Sequence, residues 1–102
     1  MGIVLLMITT ESNEKIARKI ANLLIQKKLA ACVSLKNINS IYKWESEINE
    51  SREVEITIKS RPELKDDLIT FLKKMTSYNV PQILYKEFES EANYHEWITK
   101  IC

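Results

Sequence analysis

Few side chains in this sequence have the chemistry of a site, and they are scattered. Cys32 lies in a run of small residues, Ala30-Ala31-Cys32, and reads either as a packing cysteine or as a thiolate ligand. His95 is the only histidine. A tetrahedral or square metal site needs several donors, so His95 reads as a surface side chain unless symmetry multiplies it. Tyr42 and Trp44 are two residues apart and so share one face of a strand, where they would either pack on a neighbour or wall a pocket. Lys59 ends a strand on its polar face, where an ammonium is either solvated or holds an anion. The methionines lack the M-x-x-M spacing of copper carriers, and Met7 and Met75 read as core. No glycine-rich phosphate loop, H-E-x-x-H or G-x-S-x-G occurs.

The elements that must position these residues are legible from periodicity. Ile3 to Ile8 is a continuous apolar run, the pattern of a strand buried on both faces. Ile16, Ile20, Leu23 and Leu24 form one apolar helical stripe, with Thr10 or Ser12 as the predicted cap. Two long strands follow, Ala31 to Trp44 and about Glu47 to Lys59, with the reversal within Glu45 to Asn49 and a bulge expected near Asn37 and Asn39. The second alternates cleanly, Val54, Ile56 and Ile58 against Glu53, Glu55, Thr57 and Lys59. Ser60 to Glu63 has capping-box spacing with Pro62 in the first turn, and Leu64, Leu68, Phe71, Leu72 and Met75 give a second helical stripe. Pro81 opens a last strand, QILYKEFE, and Ser90 is the predicted cap of a third helix with Tyr94, Trp97, Ile98 and Ile101 on its stripe.

The order β-α-β-β-α-β plus a terminal helix is the ferredoxin-like split βαβ plan, an α+β sandwich with two helices on one face of a four-stranded antiparallel sheet. The whole of residues 1–102 reads as one domain. Strands average about 5–6 residues, so arms this long are expected to reach past their own subunit.

Lys and Arg total 15 against 14 Asp and Glu, a formal net charge of +1, which disfavours an electrostatic nucleic-acid binder. The apolar run at the start is far shorter than the ~18 residues of a membrane span, and it lacks a signal-peptide pattern. Two cysteines make no disulfide framework, and the expectation is reduced thiols in a cytoplasmic protein.

KLAACVS at Lys28 to Ser34, SIYKWESEI at Ser40 to Ile48, EVEITIKS at Glu53 to Ser60 and YNVPQIL at Tyr78 to Leu84 resemble the CutA family of divalent-ion tolerance proteins. NYHEWI at Asn93 to Ile98 resembles the family's Y-x-x-W ending. The resemblance implies a PII-like homotrimer of ferredoxin-like subunits whose long hairpin pairs with a neighbour. It implies a binding or signalling protein rather than an enzyme, tied to the response to metal ions such as copper, with a divalent metal as its implied cofactor. It also places Lys59, Tyr78 and Gln82 around a cleft between subunits. With Tyr42 and Trp44 they form the expected ligand site, for a small anion or regulatory ligand. The chain departs from the family where others carry metal donors or glycine. Thr76 and Ser77 stand at a histidine-proline pair, Thr9 at a cysteine, Gln82 at a glutamate, Ser46 at a glycine and Glu47 at a lysine. The clearest copper ligands are therefore missing, leaving Cys32 and His95 as the metal candidates. The alternative is a stable trimeric scaffold that docks another protein. A Lys59–Tyr78 pair could in principle do acid–base work, but no nucleophile–base–orienter set accompanies it.

Overall fold

A computed structural model describes residues 2–102. The order is β1 (Gly2–Glu11), α1 (Glu14–Gln26), β2 (Cys32–Trp44), β3 (Glu47–Ser60), a 3₁₀ turn (Pro62–Leu64), α2 (Lys65–Met75), β4 (Leu84–Ser90) and α3 (Ala92–Ile101). The four strands form one sheet in the order β2-β3-β1-β4, every neighbouring pair antiparallel. This is the ferredoxin-like arrangement that the element order predicts.

Alternation along the strands sends one set of side chains towards α1 and α2. Leu5 and Met7 of β1 and Val54, Ile56 and Ile58 of β3 meet Ala17, Ile20 and Leu24 of α1 and Leu68 and Leu72 of α2 in a single core. Each of the larger side chains among them, taken out of water, contributes about 1.5–3 kcal/mol. A smaller cluster of Val4, Ala31 and Ile98, with Cys102 against it, lies where α3 covers one end of the opposite face. Much of that face is open: Leu84 and Phe88 are exposed, and Leu6 and Ile8 are half-buried. Of the α3 stripe, Ile98 alone is buried, while Tyr94, Trp97 and Ile101 stay exposed.

The structure corrects several local expectations. β1 continues beyond the apolar run to Glu11, because Thr9, Thr10 and Glu11 keep pairing with Ile56, Glu55 and Val54. Thr10 is therefore in a strand, and Asn13 caps α1 by accepting the Ile16 N–H at 2.9 Å. The capping box at Ser60 does not form. Ser60 ends β3 and its hydroxyl donates to the Leu29 carbonyl at 2.6 Å, while Arg61 precedes the 3₁₀ turn with no side-chain cap. Glu91, not Ser90, caps α3, accepting from Asn93 N–H at 2.9 Å and Tyr94 N–H at 3.0 Å. Those two bonds hold its carboxyl below the usual range, against a weaker effect of burial. β4 begins at Leu84, three residues after Pro81.

The hairpin is unbroken. Pairing runs in one register from Cys32↔Lys59 to Trp44↔Glu47, so no bulge interrupts it at Asn37 or Asn39. Both asparagines are exposed on an edge strand, where water satisfies their amides and regular pairing is undisturbed. The reversal is a two-residue turn, Glu45-Ser46, with φ of 52° and 68°. Positive φ at both positions is the type I′ geometry whose twist matches paired strands. The turn keeps that shape without glycine, at a cost of roughly 1–2 kcal/mol per residue for L side chains in this region.

Candidate functional site

The site is assembled at the junction of the hairpin with the loop after α2. Ile38, Ser40, Tyr42 and Trp44 alternate onto one face of β2, and Glu53 is the β3 partner of Ile38. α2 ends at Met75, and the chain turns extended at Thr76, whose ψ is 144°. Glu11 fixes the loop that follows. Its side chain, 1% exposed, accepts from the Ser77 hydroxyl at 2.6 Å and the Ser77 N–H at 3.2 Å. The Thr76 hydroxyl oxygen accepts the Tyr78 N–H at 3.0 Å, which turns the Tyr78 ring back towards β3. The phenol then donates to Glu53 Oε2 at 2.6 Å.

This contact sets the electrostatics. Burial raises the Tyr78 pKa most, and the hydrogen bond and charge of Glu53 raise it further, with smaller effects from Glu11 and Tyr42. The phenol is therefore held protonated well above the ordinary range and acts as a donor. Burial works to raise the Glu53 pKa, but hydrogen bonding from Ser40, Tyr78 and Thr10 outweighs it and holds the carboxyl below its usual value. Glu53 is ionised at neutral pH.

Around this pair lies a cavity of about 680 Å³ lined by Tyr42, Trp44, Tyr78, Gln82, Ile41 and Val80, with Glu53 and the hydroxyls of Thr10, Ser40 and Ser77 among its polar groups. Its size falls in the range of small-molecule sites. Four of the five residues expected to bind a ligand thus meet: Tyr42, Trp44, Tyr78 and Gln82. Lys59 does not join them within the chain. It pairs with Leu6 and Cys32, and lines a second cavity of about 410 Å³ with Val4, Leu6, Phe88 and Tyr94. Its ammonium lies 5.9 Å from the centroid of the Tyr94 ring. Within one subunit Lys59 and Tyr78 therefore do not form an acid–base pair.

The metal candidates are also apart. Cys32 lies opposite Lys59, itself opposite Leu6, whereas His95 packs on Gly2, so closely that a Cβ at position 2 would overlap the imidazole. Leu6 and Gly2 are four residues apart on β1, roughly 13 Å along the strand. Among the described residues no group of three or more His, Cys, Asp or Glu side chains is placed to hold a metal ion. The donors of one subunit do not fit a resident divalent metal.

Glu53, Glu11, Thr10, Ser40 and Ser77 were not among the sequence-predicted site residues. Alternation puts Glu53 on the polar face of β3, but only the β2–β3 register brings it beside Ser40 and Tyr42. In the sequence Glu11 reads as an acidic residue at the positive end of the first helix, whereas it ends β1 opposite Val54.

Comparison with known proteins places this geometry. The family model for the CutA1 divalent ion tolerance protein matches residues 4–101. The chain belongs to the CutA1 family. Human Protein CutA is 35% identical over 91 residues, covering 87% of this chain and 51% of the human protein, so the chain spans about half the length of that relative. The divalent-cation tolerance protein CutA of Thermus thermophilus is 32% identical over 91 residues, covering 87% of this chain and 88% of that protein. The solved structure of the periplasmic divalent cation tolerance protein CutA from Archaeoglobus fulgidus superposes with a TM-score of 0.92 at 30% identity, covering 96% of this chain and 97% of that one. Such agreement at this identity confirms the ferredoxin-like CutA1 subunit. No helix among the described residues is long and apolar enough to cross a membrane.

Proposed function

We propose that this CutA1 family member is a homotrimeric, non-enzymatic binding protein that serves the response to divalent metal ions, copper among them, and binds a small ligand in the cleft walled by Tyr42, Trp44, Tyr78 and Gln82. The observation that carries the reading is the 680 Å³ cavity, in which hairpin and loop bring two distant pairs, Tyr42 with Trp44 and Tyr78 with Gln82, together around the Tyr78–Glu53 bond. Assembly is supported by apolar surface that a lone subunit leaves in water. Ile41 is 71% exposed and Ile48 81%, both on the outer half of the hairpin. Leu84 and Phe88 lie on the open sheet face. A neighbouring subunit over these residues would also close the cleft, which puts the ligand site at the junction of assembly and binding. A cytoplasmic setting agrees with the unpaired thiols of Cys32 and Cys102.

Native mass spectrometry with and without copper tests the reading. The expected species has the mass of three subunits, and a monomer at micromolar concentration would overturn the assembly. Copper retained in a fixed ratio per trimer would support direct metal binding, with ligands drawn from more than one chain. A trimer that retains none would remove copper as a ligand and leave the cleft as the site of action.

A further inference from the structure

Lys59 at a strand end suggests an anion site, but the folded chain points to the opposite charge. Glu53 is the one ionisable acid or base that lines the larger cavity besides the phenols, and neither lysine, arginine nor histidine lines it. Around that carboxylate stand three aromatic side chains, Tyr42, Trp44 and Tyr78, with Ile41 and Val80 adding apolar wall. In one subunit Trp44 is 51% and Tyr42 44% exposed, and both rings line the cavity. Aromatic faces carry negative electrostatic potential and attract cations, and a fixed carboxylate beside them adds direct charge attraction. Within one subunit the same wall repels an anion and gives its charge no partner, since Lys59 lines the other cavity. The polar groups that remain, the hydroxyls of Thr10, Ser40 and Ser77 and the amide of Gln82, can accept from an ammonium or guanidinium N–H.

We propose that the Tyr42–Trp44–Tyr78 cleft takes a small organic cation, an alkylammonium or related amine, with Glu53 as its counter-ion and the aromatic rings as its walls. The proposal rests on the reading of this cleft as the ligand site and assigns that ligand a charge. Tyr78 has a positioning role: by donating to Oε2 it holds the carboxylate against β3 with its charge directed at the cavity. A metal ion is less suited, because Glu53 is a single carboxylate with no imidazole or thiolate in the lining.

One carbon skeleton in three charge states tests this on the full-length protein. Hexylammonium, hexan-1-ol and hexanoate are titrated while the indole N–H resonances of Trp44 and Trp97 are followed by NMR. The expected result is that hexylammonium shifts Trp44, leaves Trp97 in place, and binds about tenfold more tightly than hexan-1-ol, with hexanoate weakest. Glu53→Gln should remove most of the gap between hexylammonium and hexan-1-ol without changing the affinity of the latter. If that variant does not fold, Tyr42→Leu, which leaves the carboxylate in place, should narrow the gap between the two probes. Equal affinities for hexylammonium and hexan-1-ol, or tightest binding of hexanoate, would overturn the charge assignment while leaving the cleft a ligand site. No response of Trp44 to any of the three would overturn the cleft reading as well.

Discussion

The two halves of the β2–β3 hairpin share a sequence style but not an environment. At the base, Val54, Ile56 and Ile58 alternate with polar residues, and each of the three is buried beneath α1 and α2. At the tip, Ile41, Tyr42, Trp44 and Ile48 are equally apolar and all are exposed. The backbone is the same on both sides, one uninterrupted antiparallel register. Alternation therefore establishes a strand, whereas burial depends on what another element brings to it. The helices of one subunit reach only the base, because α1 and α2 span 13 and 11 residues and pack over the inner part of a hairpin whose arms are 13 and 14 residues long. A helix rises about 1.5 Å per residue and a strand about 3.3 Å, so helices of that length cover roughly half the arm. The uncovered half carries the aromatic walls of the cleft.

Paired truncations test this contrast most directly. Ile58→Ala should cost about 3 kcal/mol of stability, read from urea or guanidinium midpoints, because it opens a cavity in the closed core. The same change at the tip, Ile48→Ala, should move subunit stability by no more than about 0.5 kcal/mol. Its effect should appear instead as a higher dissociation constant of the assembly in analytical ultracentrifugation. Equal losses of stability at the two sites would end the distinction between base and tip.

The boundary between the halves can be probed at Glu11. Its carboxylate accepts both donors of Ser77, and so holds the loop that carries Tyr78 and Gln82 against the hairpin. Glu11→Gln keeps the shape and removes the charge assistance, with an expected cost of about 1–2 kcal/mol. Hydrogen exchange should show faster opening of residues 76–80 while the β1–β3 amides stay protected. A uniform acceleration would mean that Glu11 supports the core rather than the loop.

A smaller effect than at Ile58 or Glu11 is expected at the turn. Ser46 has φ of 68°, where a side chain is strained and glycine is not. Ser46→Gly should stabilise the protein by up to about 1 kcal/mol, read as a rise in Tm, with no change in the cleft. A fall in Tm would show that the Ser46 side chain makes a stabilising contact in the assembly.

Much of the fold was legible because it rests on periodicity. The stripe of Ile16, Ile20, Leu23 and Leu24 is helical whatever surrounds it, and the alternation from Glu53 to Lys59 is a strand wherever it lies. The caps were misread for a physical reason. Thr10 and Ser60 are good cap residues, but each was claimed by a longer strand whose ladder hydrogen bonds outweigh a single capping bond. The candidate site was legible in part. Tyr42 and Trp44 follow from spacing on one strand, and Tyr78 and Gln82 from resemblance to CutA. Lys59 was grouped with them by the same resemblance, which places it at a cleft between subunits. Its rung, between Leu6 and Cys32, is several residues along the strands from the rung of Glu53 and Ile38, and only the register reveals that distance.

By itself the sequence determined the order of elements and the length of the hairpin, since local periodicity and turn chemistry act between near neighbours; the element order implied the ferredoxin-like plan, and its motifs implied the family by resemblance. The tertiary structure alone decided that Glu11 and Ser77, 66 positions apart, lock the loop, and that within one subunit Glu53 lines the cleft while Lys59 lines another cavity. Hydrogen bonds and fields act through space, and strand register sets which distant residues share that space.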